Sequence, residues 1–249
     1  MNEAQLINQW KKEEKAVFKG WDFSHLKKRM IEPNPPWNYI KIAKELIKKF
    51  SSVLDMETGG GEIFSSLKPF PKKTVAYEGY KPNVFIAKKR LKPLGVKVIE
   101  CRNLKRLPFK KEEFDLVLNR HGAINAKEIY RILKKDGIFF TQQVTGSDDS
   151  QDLVKEFKAK RKFSDINLER YVKELKKAGF KIKVAKKWKG KKTFKDVGAI
   201  VYYLKAIPWI VKNFSVKKYL SILKKLQKKL ERKKELKFDT ARFMILAKK

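Results

Sequence analysis

The chain has 249 residues, with 62 Lys or Arg against 27 Asp or Glu, a formal net charge of +35 and 42% hydrophobic residues. That apolar content excludes an intrinsically disordered chain, and the single cysteine, Cys101, excludes an intrachain disulfide framework and a Cys-rich zinc site. Residues 1–5 lack an apolar signal region and no apolar run is long enough to span a bilayer, so the expectation is a cytoplasmic protein without membrane contact.

The charge attracts polyanions, which points to RNA, ribosome or DNA as a partner. Lys far outnumbers Arg, and base composition alone also produces that excess, so nucleic-acid contact and compositional bias both stay open.

In chain order, residues 3–19 read as a helix with Leu6, Ile7, Trp10, Val17 and Phe18 as its apolar positions. An aromatic, proline-interrupted stretch follows through Trp37 and Tyr39. Residues 40–50 resume a helix, with Ile42, Ala43, Leu46, Ile47 and Phe50 on one face. Strands are predicted at 53–56, 74–77, 96–101, 114–118 and 138–141, with helices near 82–91 and 126–133 between them. Asn167 is placed to cap a helix that Gly179 ends, ahead of a strand at 180–185. The Lys-rich segment 186–195 reads as a basic, hairpin-like loop, with Trp188 interleaved as in phosphate-tracking patches. Residues 196–209 fit a strand, with Val197, Ala199, Val201 and Tyr203 at period two, or a helix capped by Asp196 and ended by Pro208, and the helix is the preferred reading. Ser215 suits the cap of an amphipathic helix with a Phe214–Tyr219 staple, and residues 242–247 form the last strand.

The chemistry-bearing stretch is Val53-Leu54-Asp55-Met56-Glu57-Thr58-Gly59-Gly60-Gly61-Glu62: a strand, an acid, a glycine turn and a helix start. Glycines there let a ligand approach the backbone, and free N–H groups at the helix start suit polar or anionic groups. Glu78 ends the next strand, ~20 residues on, where an acid in nucleotide-binding βαβ units accepts hydrogen bonds from ribose. Asn119-Arg120-His121-Gly122 and Gln142-Gln143 follow the fourth and fifth strands, at the edge where open α/β sheets bind ligands. His121 is a candidate base or a loop-orienting group, and the two Gln are acceptor-binding candidates or backbone partners. No P-loop, internal repeat or metal-ligand spacing is present.

The stretch 53–62, Glu78, Leu107-Pro108-Phe109, Phe114-Asp115-Leu116-Val117 and Gly137-Ile138-Phe139-Phe140 together resemble class I S-adenosylmethionine-dependent methyltransferases. The likeness is to those with type 11 domains, close over residues 50–146 and looser elsewhere. The resemblance implies a Rossmann-like, seven-stranded, mostly parallel α/β sheet with helices on both faces and an antiparallel last strand. It implies S-adenosyl-L-methionine as cofactor, held by Asp55, Glu57, Gly59, Gly61 and Asn119, with Glu78 at the ribose and Asn103 and Leu104 at the adenine. Glu57 stands where the family usually has Gly. The expected plan is one domain: a helical cap (1–50) with Trp37 over the acceptor pocket, a cofactor core (51–146), and a C-terminal part (147–249) with a helical insertion near 196–236. The acceptor, RNA or small molecule, is not named by the residues. A non-catalytic RNA-binding protein of this fold and a nicotinamide-dependent oxidoreductase are the rival readings.

Overall fold

The protein is described by a computed structural model covering residues 1–160 and 163–249. Among these residues the sheet has eight strands: β1 (Met30–Ile31), β2 (Ser52–Met56), β3 (Lys73–Glu78), β4 (Lys97–Glu100), β5 (Phe114–Arg120), β6 (Leu133–Val144), β7 (Lys181–Phe194) and β8 (Leu236–Lys248). They lie in the order β1-β7-β8-β6-β5-β2-β3-β4. β4, β3, β2, β5 and β6 are mutually parallel, and β8 runs antiparallel between β6 and β7. The order reverses between β2 and β5, which opens a crevice beyond their carboxyl ends.

Alternation along the strands divides the core. Val53, Ala76, Leu116, Leu118 and Phe140 face α2 (Tyr39–Ile47), α3 (Glu62–Ser65) and α4 (Lys81–Leu91). Leu54, Met56, Tyr77, Val117 and Phe139 face α5 (Ala126–Ile132) and α7 (Leu168–Lys177). A third apolar cluster joins α1 (Glu3–Lys15), α6 (Gln151–Glu156), α8 (Val197–Ala206) and α9 (Leu220–Lys233), with α8 buried along almost its whole length. Short polar caps set the helix starts: Asn38, Asn125, Asn167 and Asp196 each accept a backbone N–H three residues on.

Four expectations are corrected. The sheet has eight strands, because Met30 and Ile31, within the predicted aromatic stretch, pair with Phe194 and Thr193. The basic segment is a strand, paired with β8 from Lys181 to Phe194. Its lysines mask the period-two pattern: Lys187, Lys189 and Lys191 alternate with Trp188, Gly190 and Lys192. α1 stops at Lys15, which leaves Val17 72% exposed. α9 starts at Leu220 rather than after Ser215, although the Phe214 and Tyr219 rings still stack at 5.7 Å.

Candidate active site

β2 delivers Asp55 to the crevice, and the chain then turns through Glu57, Gly59 and Gly61, all at positive φ (56°, 64° and 79°). A side chain at Gly61 would meet Leu91 of α4 at 2.9 Å, so glycine is demanded twice there, by conformation and by space. The Gly59 N–H donates to Glu78 Oε2 and the Tyr80 N–H to Glu78 Oε1, each at 2.7 Å. Glu78 therefore braces the turn. Arg90 clamps the turn's far side through Glu62 (2.5 Å) and the Gly60 carbonyl.

Three carboxylates converge here. Burial pushes Asp55 up to about 7, with Glu78 adding to the rise and Arg120 opposing it. Burial, with Glu78 repulsion, pushes Glu57 to about 7 as well. Glu78 is raised by burial despite its backbone donors. Two buried hydroxyls nearby, Tyr39 and Tyr77, have no hydrogen-bond partner among the described residues. Acids held this far above their ordinary range, beside unpartnered hydroxyls, make a site suited to a cation bearing polar groups.

The end of β5 sorts its residues between two faces. Asn119, fully buried, donates to the Met56 carbonyl (3.3 Å) and accepts from Thr141 Oγ1 (3.0 Å) and Gln143 Nε2 (2.5 Å). Gln143 also donates to the Gly122 carbonyl (3.0 Å). Asn119 and Gln143 thus lock β2, β5 and β6 together. Gln142 points the other way, where its Oε1 accepts from Trp37 Nε1 (2.8 Å) and its amide lies 3.4 Å from His121 Nε2. His121 sits at φ 63°. Burial and the charges of Arg120, Arg242 and Lys192 hold its pKa well below the usual imidazole value. It is neutral at pH 7 and a weak base.

Residues 54–141 match a family model described as a methyltransferase domain. This is a class I methyltransferase fold. A candidate methyltransferase from Bacillus halodurans C-125 superposes with a TM-score of 0.60 at 18% identity, over 84% of this chain and 98% of that one. A functionally unknown protein from Deinococcus radiodurans R1 gives 0.60 at 14%, over 88% and 90%. The [4+2]-cyclase SpnF gives 0.51 at 14%, over 99% and 92%. No curated protein matches in sequence.

On this methyltransferase fold the N-terminal segment lies against the glycine turn. A Cβ on Gly59 would sit 3.7 Å from Trp21, whose ring stacks on Trp209 at 5.9 Å. Asn103 is exposed and its Oδ1 accepts from the Lys105 N–H, a local turn. Leu104 packs partly into the core, and its carbonyl accepts from Asn125.

Lys187, Lys189, Lys191 and Lys192 of β7 face acids. Lys187 and Lys189 approach Asp148, Lys191 pairs with Asp152 and Asp239, and Lys192, 0% exposed, lies near Asp149 and Glu32 and donates to Tyr203 (2.7 Å). Arg242 joins this buried network through Glu32 (2.5 Å) and Asp149 (2.9 Å). No helix among the described residues is long and apolar enough to cross a membrane, and none of their His, Cys, Asp and Glu side chains form a metal-holding group of three.

The sequence places Arg120 in the tetrapeptide at the ligand-binding edge and Tyr39 in the aromatic stretch ahead of α2 without giving either an individual role, and it places Tyr77 only within a strand. Arg120 and Tyr77 each adjoin a residue that was singled out, His121 and Glu78, and strand-end position was the available signal.

Proposed function

We propose that the protein transfers a methyl group from S-adenosylmethionine to a small-molecule acceptor. The observation that supports this most is the cluster of desolvated acids, Asp55, Glu57 and Glu78, around a glycine turn inside the methyltransferase-domain segment. The donor set fits the cofactor: raised carboxylates for its ammonium and sulfonium charges, unpartnered hydroxyls of Tyr39 and Tyr77 for its polar groups, and glycines where its chain must approach the backbone. Asp55, Glu57, Gly59 and Gly61 would hold the methionine side and Glu78 the ribose. Asn103 and Leu104 would border the adenine, and Asn119 would act from behind by fixing β5 against β2.

The bound cofactor supplies an activated methyl electrophile, so no protein nucleophile is needed. The chain orients the two reactants and excludes water. Trp37, fixed to Gln142, serves as part of that cover, in keeping with residues 1–50 as a cap, 51–146 as the cofactor core and 147–249 as the flanking part. Neutral His121 accepts a hydrogen bond from the acceptor rather than taking its proton outright. A small acceptor is favoured over RNA because Lys187, Lys189, Lys191 and Lys192 already face carboxylates.

The fold alone does not decide the reaction, since SpnF is a cyclase. Calorimetry with S-adenosylmethionine, S-adenosylhomocysteine and NADH tests the cofactor. Binding of the first two and not the third is expected, and Glu78→Ala should weaken it by about 1–3 kcal/mol. NADH binding alone would turn the reading to an oxidoreductase. Radiolabelled methyl transfer to small-molecule, protein and RNA fractions then identifies the acceptor class.

A further inference from the structure

Arg120 is a cation with no ion-paired partner among the described residues. It ends β5 beside the crevice, half-buried, and its side chain makes no hydrogen bond or ion pair among the described residues. Among the described residues its direct companion is the Tyr39 ring, with the guanidinium carbon 6.0 Å from the centroid. The other core-flanking arginines behave differently: Arg29, Arg90, Arg131 and Arg242 each reach a carboxylate within 2.9 Å. A guanidinium removed from water and left unpaired costs stability, so a fold that keeps one there gains something when the partner arrives.

The surroundings narrow what that partner is. Glu32 and Asp55 are near enough to influence Arg120, yet neither forms an ion pair with it. Glu32 is already held by Arg242 at 2.5 Å and by the Thr240 hydroxyl at the same distance. Asp149 is held by Arg242. Lys192 lies between Glu32 and Asp149. The two neighbouring cations are thus committed to these carboxylates, which leaves Arg120 to balance one further negative charge.

Register adds the walls. Arg120 and Gln142 are partners across the parallel β5–β6 pair and so share a face. On that face Trp37 is fixed to Gln142, and Tyr39 is stacked on Phe140 at 4.9 Å.

We propose that Arg120 is the anchor for a small, singly charged carboxylate carried by the methyl acceptor, bound between the Trp37–Tyr39 segment and the end of β5. This rests on the methyl-transfer reading and names its substrate class. A guanidinium fork matches a carboxylate with two parallel hydrogen bonds. A doubly charged phosphate would call for a second uncommitted cation, and the committed pairs of Lys192 and Arg242 do not supply one.

The test uses the full chain and paired probes, benzoate against benzamide and acetate against acetamide, read by thermal shift with and without saturating S-adenosylhomocysteine. The acids should raise the melting temperature and the amides should not. Arg120→Gln should abolish the acid response, and Arg120→Lys should retain part of it. Calorimetry of S-adenosylhomocysteine with Arg120→Gln should show affinity within about threefold of the parent chain. A loss of about tenfold or more would overturn the proposal, since a charged hydrogen bond of that strength would then belong to the cofactor's own carboxylate. Equal responses to acid and amide, no response to either acid, or preferred methylation of an oligoribonucleotide would also overturn it. Failure of S-adenosylhomocysteine to bind, with the acid-specific shift intact in its absence, would instead refute the cofactor reading and leave Arg120 as an anion site.

Discussion

Trp37 donates its indole N–H to the side-chain oxygen of Gln142 across 2.8 Å, and both residues are buried. The bond joins the segment between β1 and α2 to the carboxyl end of β6. It sets the Trp37 ring at the carboxyl end of β6 and holds Gln142 next to His121.

Trp37→Phe keeps an aromatic ring there and removes the donor, leaving the Gln142 oxygen buried without its partner. Chemical denaturation should show a loss of about 1–3 kcal/mol, the cost of one orphaned buried polar group. The segment ahead of α2 should become more sensitive to protease. Unchanged stability and protection would mean that the bond does not hold the segment.

The pH response follows from the acids. Asp55 rises from 3.8 to about 7 on folding, so the stability contributed by its protonated form is complete below its unfolded value and is lost as pH climbs through about 7. Asp149 is lowered to about 2 by Lys192 and Arg242 against the cost of burial, so its contribution is present above 3.8 and lost as pH falls through about 2. The melting temperature of the cofactor-free protein should therefore decline from about pH 5 to about pH 8, and Asp55→Asn should flatten that decline. S-adenosylmethionine affinity should rise over the same interval, because the cation pairs with the ionised acids. A flat profile in the parent chain would contradict the assignment.

Glu57→Gly puts the family's residue at a position whose φ of 56° suits glycine. It also removes an acid that burial raises to about 7. Relief of left-handed strain is worth ~1–2 kcal/mol, offset in part by the flexibility glycine gives the unfolded chain. The net gain should be larger at pH 8 than at pH 5, where Glu57 is already protonated. Cofactor affinity by calorimetry should fall about tenfold, because Glu57 belongs to the acid set proposed to hold the methionine side, and unchanged or improved affinity would remove it from that set.

Lys192→Met leaves Glu32 and Asp149 short of a buried cation and should cost ~3–5 kcal/mol in urea unfolding. Changing Lys187, Lys189 or Lys191 to Gln breaks more exposed pairs and should cost under about 1 kcal/mol each. Oligoribonucleotide binding by a variant with Lys187, Lys189 and Lys191 all changed to Gln should match the parent chain at ~150 mM salt. A clear loss would return these lysines to a role in nucleic-acid contact.

Local pattern carried much of this protein. The glycine turn, the acids at two strand ends, the parallel strands and the Asn and Asp helix caps each depend on neighbours a few residues apart, so they are legible in the chain. The methyltransferase resemblance added the cofactor and the antiparallel last strand. Tertiary structure decided what neighbouring residues do differently. Gln142 and Gln143 look alike in sequence, but strand alternation sends one to Trp37 and the other to Asn119. Lysines that read as a solvated loop became a strand once β8, far along the chain, supplied the ladder and acids arrived to face them. Arg120 stands out only because its neighbours' charges are already taken, a fact about Glu32, just after β1, Lys192 of β7 and Arg242 of β8 that no local window contains. Sequence reaches as far as interactions between near neighbours; ion pairing and the choice of face are settled by residues that meet only when the sheet closes.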